Sequence, residues 1–153
     1  MDIIYSEIYI QFVFAVNGKQ SLILPSWEEE LYKYITGLVE NKNHKMIAIN
    51  SVPDHLHFFV DFDPNSSLDD LVEEVKKSTI TFINSNFVAN SDFNWQEGYG
   101  GFSYCKSDID IVVKHIMNQK NFHREISFKD EYISLLNEYK IDFEEKYLFD
   151  WII

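Results

Sequence analysis

The chain has 153 residues, the length of one ordinary domain, and 46% of them are hydrophobic, which is enough for a buried core. Its net charge of −12 argues against a broad nucleic-acid-binding surface, because such surfaces neutralise phosphates with Lys and Arg. No run approaches the roughly 18 apolar residues that span a membrane, and the single cysteine, Cys105, excludes an internal disulfide. We therefore expect one domain over residues 1–153, cytoplasmic and without a membrane segment, with Cys105 buried and without a functional role.

The first half of the chain alternates between strand and helix signals. Residues 3–16 are rich in β-branched and aromatic side chains and predict a long strand. Ser26 followed by Glu29 is a capping box and predicts the start of a helix. Two further strands, at 45–52 and 55–62, are separated by a tight turn and predict a hairpin.

The rest of the chain predicts one more strand and three more helices. Residues 95–105 contain three glycines and predict an irregular fourth strand. Each of the three helices begins with a serine that has an acid three residues later, at Ser67, Ser107 and Ser127. The order of elements predicts an α+β, ferredoxin-like sandwich: an antiparallel sheet with helices on one face, plus C-terminal helices.

A pair of histidines stands on the third predicted strand. Residues two apart in a strand point to the same face, so His55 and His57 project side by side. Two imidazoles in this arrangement can share one metal ion. Taken alone, a His-x-His pair is more often simply exposed or hydrogen-bonded, and the pattern leaves both interpretations open.

A second polar pair lies on the third predicted helix. His115 and Gln119 are four residues apart and therefore share a helix face, beside a predicted buried stripe. A side-chain amide oxygen can complete a metal site that two histidines begin. The alternative is an ordinary polar flank of a helix.

Several segments resemble the single-tyrosine HUH transposases of insertion sequences. Residues 53–57, Pro-Asp-His-Leu-His, resemble the HUH motif, and residues 97–103 are similar to the Glu-Gly-Tyr-Gly-Ala-Phe segment of one branch of that family. Residues 115–119 match the family's Tyr-Ile-x-Asn-Gln except at the first position. Three further segments are similar and occur in the same order along the chain: 8–14, 128–132 and 145–151.

This resemblance implies a ferredoxin-like homodimer that binds single-stranded or hairpin DNA at transposon ends. It implies that His55, His57 and Gln119 hold a divalent metal, Mg²⁺ or Mn²⁺, which polarises a scissile phosphate. In the family a helix tyrosine attacks that phosphate and forms a 5′-phosphotyrosine, and the histidines of one subunit often work with the tyrosine helix of the other. The candidate DNA contacts on this chain are basic residues clustered around the same helix: Lys106, Lys114, Lys120 and Arg124.

The chain departs from the family pattern at the nucleophile. His115 stands where the family carries its tyrosine and is our candidate catalytic residue; Gln11 stands where many relatives have a histidine. Four explanations remain open for His115. The protein is catalytically inactive, His115 is itself the nucleophile, His115 is a third imidazole ligand in a site that activates water, or a nearby tyrosine, Tyr104 or Tyr99, takes over.

Three functions of different kinds follow. The chain is a transposase-like protein that binds, cleaves and rejoins single-stranded DNA, or a catalytically inactive DNA-binding remnant of one. The third possibility is a plain ferredoxin-like domain that binds an unrelated ligand, which the acidic charge favours. The colinear motifs favour the DNA functions.

Overall fold

An antiparallel sheet of four strands organises the chain. The structure, a computed structural model, describes residues 3–88 and 92–152. The strand order across the sheet is β2-β3-β1-β4, so the first and third strands are central. The strands are β1 (Tyr9–Ala15), β2 (Lys45–Val52), β3 (His55–Asp61) and β4 (Gly100–Tyr104).

Helices cover both faces of this sheet. The first two pack on one face with the largest apolar cluster, and the remaining three lie on the opposite face. This arrangement confirms the predicted ferredoxin-like sandwich with additional C-terminal helices. The helices are α1 (Glu28–Asn41), α2 (Leu68–Asn86), α3 (Ile109–Met117), α4 (Gln119–Phe122) and α5 (Phe128–Glu138).

The central strand β1 is buried on both faces, which explains why it is apolar almost throughout. Successive side chains of a strand point to opposite faces. Phe12 and Phe14 therefore join the cluster under α1 and α2, whereas Val13 and Ala15 join a cluster under the C-terminal helices. The second face is the one that receives β3's two histidines.

Strand lengths are set by the available partners. The predicted strand 3–16 is shorter in the structure, because Tyr9 already pairs with the last residues of both neighbouring strands, Asp61 and Tyr104. The irregular strand predicted at 95–105 is regular only over β4, and Trp95 makes an isolated bridge. The hairpin of β2 and β3 is confirmed.

Two of the four predicted helix caps are confirmed. The side chain of Ser67 accepts a hydrogen bond from the backbone N–H of Asp70 at the start of α2. Ser127 does the same for the N–H of Asp130 at the start of α5. Each serine thus satisfies one of the free backbone donors of its helix.

The predicted caps at Ser26 and Ser107 are wrong. α1 begins after Trp27, and the carbonyl of Leu24 accepts hydrogen bonds from the backbone N–H groups of Trp27 and Glu28. α3 begins after Asp108, which ends a short 3₁₀ turn, and no side chain caps it. At both ends a backbone turn therefore leads into the helix, and the predicted serine cap is not formed.

Cys105 is exposed, so the expectation of a buried thiol is wrong. It lies in the surface turn between β4 and α3, where its Sγ is 3.1 Å from Asp108 Oδ2. Neither the sheet nor a helix covers a residue at this position.

Residues 1–2, 89–91 and 153 lie outside the described part of the chain, and a single domain over 1–153 stays a prediction. In the described ranges, no helix combines the length and apolar character that crossing a membrane requires.

Candidate metal centre

His55 and His57 lie fully buried between the sheet and the C-terminal helices. Their partners on β1 are Ala15 and Val13, respectively. These small side chains leave space above the sheet for two imidazole rings, whose centroids are 4.9 Å apart. The predicted side-by-side projection of the pair is therefore realised at the interface of the sheet with α3, α4 and α5.

Three further polar side chains reach the same point from the helices. Glu131 of α5 places Oε1 3.2 Å from Nε2 of His55 and 3.1 Å from Nε2 of His57. His123, at the end of α4, brings its own Nε2 to 3.0 Å from the same oxygen. Gln119 Oε1 lies 3.0 Å from His55 Nε2 and 2.9 Å from His123 Nε2. Five nitrogen and oxygen atoms thus converge on one centre.

The opposite nitrogen of each converging histidine fixes the protonation of its ring. Each Nδ1 faces an oxygen that can only accept a hydrogen bond: Asp54 Oδ1 at 2.7 Å for His55, Gln11 Oε1 at 2.7 Å for His57, and the carbonyl of Ile126 at 2.6 Å for His123. In a neutral imidazole the proton must then sit on Nδ1, which leaves the Nε2 lone pair pointing to the centre. Ligand histidines of metal sites are oriented in this way.

This donor set fits a divalent metal ion. Three nitrogen lone pairs and a carboxylate repel one another unless a cation lies between them. The donors of the three histidines and Glu131 all lie within 4.8 Å of one another. Ligands bound tetrahedrally at about 2.0–2.1 Å stand about 3.3 Å apart. The distances of 3.0–3.2 Å from Glu131 Oε1 to the three Nε2 atoms are close to that value.

The pKa shifts of His57 and Glu131 agree with this assignment. Burial lowers the pKa of His57 to about 4, so its ring is neutral at neutral pH. Burial alone would raise the pKa of Glu131, but the surrounding histidines outweigh it and hold the pKa well below its usual range. Burial would likewise lower the pKa of His55, but hydrogen bonds with Asp54 and Glu131 raise it. A neutral imidazole and an ionised carboxylate are the forms that bind metals.

His115 contacts the cluster through Oε2, the second carboxylate oxygen of Glu131. Its Nε2 lies 2.6 Å from Glu131 Oε2, and Gln119 Nε2 donates to the same oxygen at 2.7 Å. The third imidazole that converges with those of β3 is thus His123. The His115 side chain is 37% exposed and lines a cavity of about 520 Å³, into which Glu131 also opens.

Of the two tyrosines considered as replacements, only Tyr104 borders this cavity. Its hydroxyl accepts a hydrogen bond from Gln11 Nε2 at 2.8 Å, so one residue separates it from His57. Burial raises the pKa of Tyr104, which disfavours the phenolate. Tyr99 is hydrogen-bonded to Asp69 at 2.7 Å and lines a different cavity.

The four predicted basic contacts do not form one patch. Lys120 and Arg124 line a cavity of about 340 Å³ together with His123. Lys120 Nζ is also 3.1 Å from Glu28 Oε1. Lys106 lies elsewhere, in an exposed ion pair with its Nζ 3.5 Å from Glu7 Oε1. Lys114 is exposed on α3 and lines neither this cavity nor the one beside His115.

Sequence reasoning missed His123 and Glu131. His115, Gln119 and His123 follow one another at intervals of four residues, the spacing that aligns side chains on a helix. That pattern could have found His123. Glu131 has no comparable signal, because it joins the cluster from a separate helix.

Comparisons with known proteins agree with the fold and the motifs. Residues 4–119 match the family model described as transposase, IS200-like. That segment contains His55, His57 and Gln119, whereas His123 and Glu131 lie beyond it. No curated protein matches the chain.

Two solved structures share this fold at low sequence identity. A candidate transposase from Deinococcus radiodurans R1 has 14% identity and a TM-score of 0.62, over 76% of this chain and 93% of its own. A REP-associated tyrosine transposase bound to a REP hairpin has 15% identity and a TM-score of 0.60, over 82% of this chain and 74% of its own. Since the family match extends over most of its length, the chain belongs to the family of IS200-like transposases.

Proposed function

We propose that the protein binds single-stranded hairpin DNA and carries out metal-assisted chemistry on one of its phosphodiesters. The observation that carries this proposal is the convergence of His55, His57 and Gln119 on one centre beside His115. A bound divalent cation, Mg²⁺ or Mn²⁺ in the family that the sequence resembles, would polarise the phosphate there.

The chain's own residues prepare this site. Asp54 and Gln11 hold the rings of His55 and His57 through their Nδ1 atoms, so that both Nε2 atoms are oriented before any ligand arrives. Gln11 therefore has a positioning role at the place where many relatives carry a histidine. Preorganised ligands lose little freedom on binding, which favours both affinity and correct geometry.

Proposed DNA contacts begin at Lys120 and Arg124, which line a cavity beside His123. Lys106 and Lys114 would extend the contact along the α3 side. Because the salt dependence of binding grows with the number of phosphates neutralised, contact through so few cations on a chain of net charge −12 should be weak and should depend only modestly on salt. The fold shared with a transposase bound to a REP hairpin supports a hairpin as the form of DNA.

We further propose a homodimer, as in the family that the sequence resembles. Ile111 and Met117 of α3 are 69% and 58% exposed, which supports an interface on this helix. His115 and Gln119 nevertheless lie beside the histidines of their own chain. We expect each metal site to be complete within one subunit.

Binding without strand transfer is the second candidate function. One observation favours this second function. Of the two tyrosines considered, only Tyr104 borders the cavity beside His115, and its hydroxyl already accepts a hydrogen bond from Gln11. His115 can replace the tyrosine only if its imidazole leaves the carboxylate of Glu131 and attacks phosphorus. That step would form a P–N bond as the P–O3′ bond breaks, and the proton lost by the imidazole would pass to the departing oxygen to give the 3′-hydroxyl strand end.

A single assay separates these possibilities. The full chain would be mixed with end-labelled single-stranded hairpins of randomised sequence and Mn²⁺, with duplex DNA as the control. An acid-stable covalent adduct would indicate a tyrosine, an acid-labile adduct His115, and free products hydrolysis. A gel shift alone would establish binding without cleavage. The absence of both a gel shift and cleavage products would refute the proposal.

Two variants sharpen the assay. His115→Tyr restores the family nucleophile and should introduce an acid-stable adduct if the rest of the site is competent. His57→Ala removes a metal ligand and should abolish every metal-dependent product while leaving metal-independent DNA binding. Cleavage that persists in His57→Ala would show that the chemistry occurs elsewhere.

A further inference from the structure

We infer that His123 and Glu131 complete the metal site, so that one chain holds a zinc-class divalent ion through His55, His57, His123 and Glu131. This inference rests on the proposed function only for the presence of a metal at the two strand histidines. It assigns two ligands outside the segment that matches the family, and it changes the class of metal that the site prefers.

The first argument is the position of Glu131. Its side chain is only 3% exposed, and its ion-pair partners within residues 3–88 and 92–152 are all histidines: His55, His57, His115 and His123. Because Nδ1 of His55, His57 and His123 each faces an oxygen acceptor, the neutral rings present only Nε2 lone pairs to this carboxylate, and a buried charge without a positive partner is strongly unfavourable. A divalent cation between the carboxylate and the three rings supplies that charge.

The second argument is the orientation of His123. This residue follows α4 directly, and its Nδ1 faces the carbonyl of Ile126 at 2.6 Å. The carbonyl of Phe122 holds this loop by accepting from the N–H of Ile126 at 3.2 Å. The loop thus fixes the ring with its Nε2 toward Glu131, in the same way that Asp54 fixes His55.

The third argument is the support given to the carboxylate. Glu131 Oε1 faces the three imidazoles, whereas Oε2 accepts hydrogen bonds from Gln119 Nε2 and His115 Nε2. A carboxylate held by outer hydrogen bonds is the usual condition of a metal ligand. His115 is on this view a positioning residue for Glu131, and Gln119 joins the same support through its amide nitrogen.

The donor set decides the class of metal. Mg²⁺ prefers oxygen ligands and retains several waters, which a buried cluster with three imidazoles does not accommodate. Three imidazoles and one carboxylate suit Zn²⁺, and Mn²⁺ or Co²⁺ more weakly. One metal per chain and a preference for Zn²⁺ over Mg²⁺ are therefore expected.

Isothermal titration of the metal-free full chain with ZnCl₂ and with MgCl₂ tests the inference. Glu131→Gln and His123→Asn should each weaken Zn²⁺ binding at least about 100-fold, since loss of a direct ligand exceeds the 10–100-fold cost of losing an outer partner. Asp130→Asn, which neutralises the exposed neighbouring carboxylate, is the matched control and should bind as the wild type does. His115→Gln should weaken binding no more than about 10–100-fold, the range for an outer partner.

Cobalt absorption provides a readout that does not depend on the variants folding. Wild-type protein loaded with Co²⁺ should show the intense visible bands of a nitrogen-rich site of low coordination number. A weak spectrum typical of six oxygen ligands would overturn the inference.

The remaining outcomes are equally distinct. In one outcome, Glu131→Gln and His123→Asn both bind Zn²⁺ as tightly as the wild type, whereas His57→Ala does not bind it. That result would overturn the inference, but it would leave intact the site of His55, His57 and Gln119 in the proposed function. Equal affinity for Mg²⁺ and Zn²⁺ would overturn the metal class. If no metal binds, both metal assignments fail, whatever the DNA assay shows.

Mixing two defective chains tests whether one chain supplies the whole site. Equimolar His57→Ala and Glu131→Gln chains, unfolded and refolded together, should recover no tight Zn²⁺ binding, because every chain lacks one of its own ligands. Recovery of up to one site per mixed dimer would show that Glu131 serves the partner's histidines, and would overturn the single-chain site.

Discussion

The two faces of the sheet are built from the same strands but differ in what they bury. Under α1 and α2, β1 and β3 contribute rings such as Phe12 and Phe58, stacked with centroids 4.9 Å apart. Under the C-terminal helices, the apolar residues form two smaller clusters, and the histidines of β3 lie with the polar group of α4 and α5. The first face can stabilise the fold through apolar burial alone, whereas the second buries the carboxylate of Glu131 among histidines, a charge that a bound cation would offset.

This comparison predicts that stability and metal binding can be damaged separately. The largest loss of stability should come from Phe58→Ala, because Phe58 is fully buried between Phe12 and Phe14. Truncating a buried phenylalanine costs about 3–5 kcal/mol. Urea unfolding of the metal-free protein would measure this loss.

Phe58→Leu is the matched control and should lose much less, since it retains most of the buried volume. In the folded fraction of either variant, Zn²⁺ affinity should equal that of the wild type. If Phe58→Ala weakened Zn²⁺ binding by tenfold or more, the two faces would not be independent.

On the second face, we expect the free energy of unfolding to depend mainly on the bound metal rather than on apolar side chains. Zn²⁺ present at 100 times its dissociation constant should raise the free energy of unfolding by about 2.7 kcal/mol, because it binds the folded state. His57→Ala should abolish that increment. Phe58→Ala should keep it. Thermal unfolding with ZnCl₂ and with a chelator would measure the difference, and an increment that survives in His57→Ala would contradict the assignment.

The sequence alone predicted the first face well, because that face depends on local patterns. The β-branched and aromatic residues of β1 predict a strand, and the apolar residues of α1 and α2 recur at helical spacing. The histidine pair was predicted for the same reason, since two residues of one strand keep their relation wherever the strand lies.

The second face was predicted only in part, because its cluster joins distant elements. His57 and Glu131 are 74 positions apart, and only the packing of α5 against the sheet brings them together. A local sequence pattern does not indicate that two residues so far apart along the chain come into contact. Gln119 and His115 were found through a four-residue spacing along the chain, and His123 was missed although it continues that spacing.

A smaller effect distinguishes the faces through two equivalent caps. Ser67 caps α2 on the first face and Ser127 caps α5 on the second, each by one side-chain hydrogen bond. Replacing either by Ala should cost about 1 kcal/mol of unfolding free energy. Only Ser127→Ala should also weaken Zn²⁺ binding, because α5 carries Glu131. Equal Zn²⁺ affinity in the two variants would show that the start of α5 does not position the carboxylate.

The smallest effect is expected for Ser26→Ala, which tests the cap that the sequence predicted and the structure lacks. Ser26 is exposed, and the turn on the carbonyl of Leu24 already satisfies the N–H groups of Trp27 and Glu28 at 3.1 Å each. An exposed substitution away from any such contact changes stability by no more than about 0.5 kcal/mol. Urea unfolding beside Ser67→Ala gives the comparison within one face. A loss equal to that of Ser67→Ala would mean that the serine, rather than the turn, starts α1, because only a lost cap hydrogen bond has that magnitude at an exposed serine.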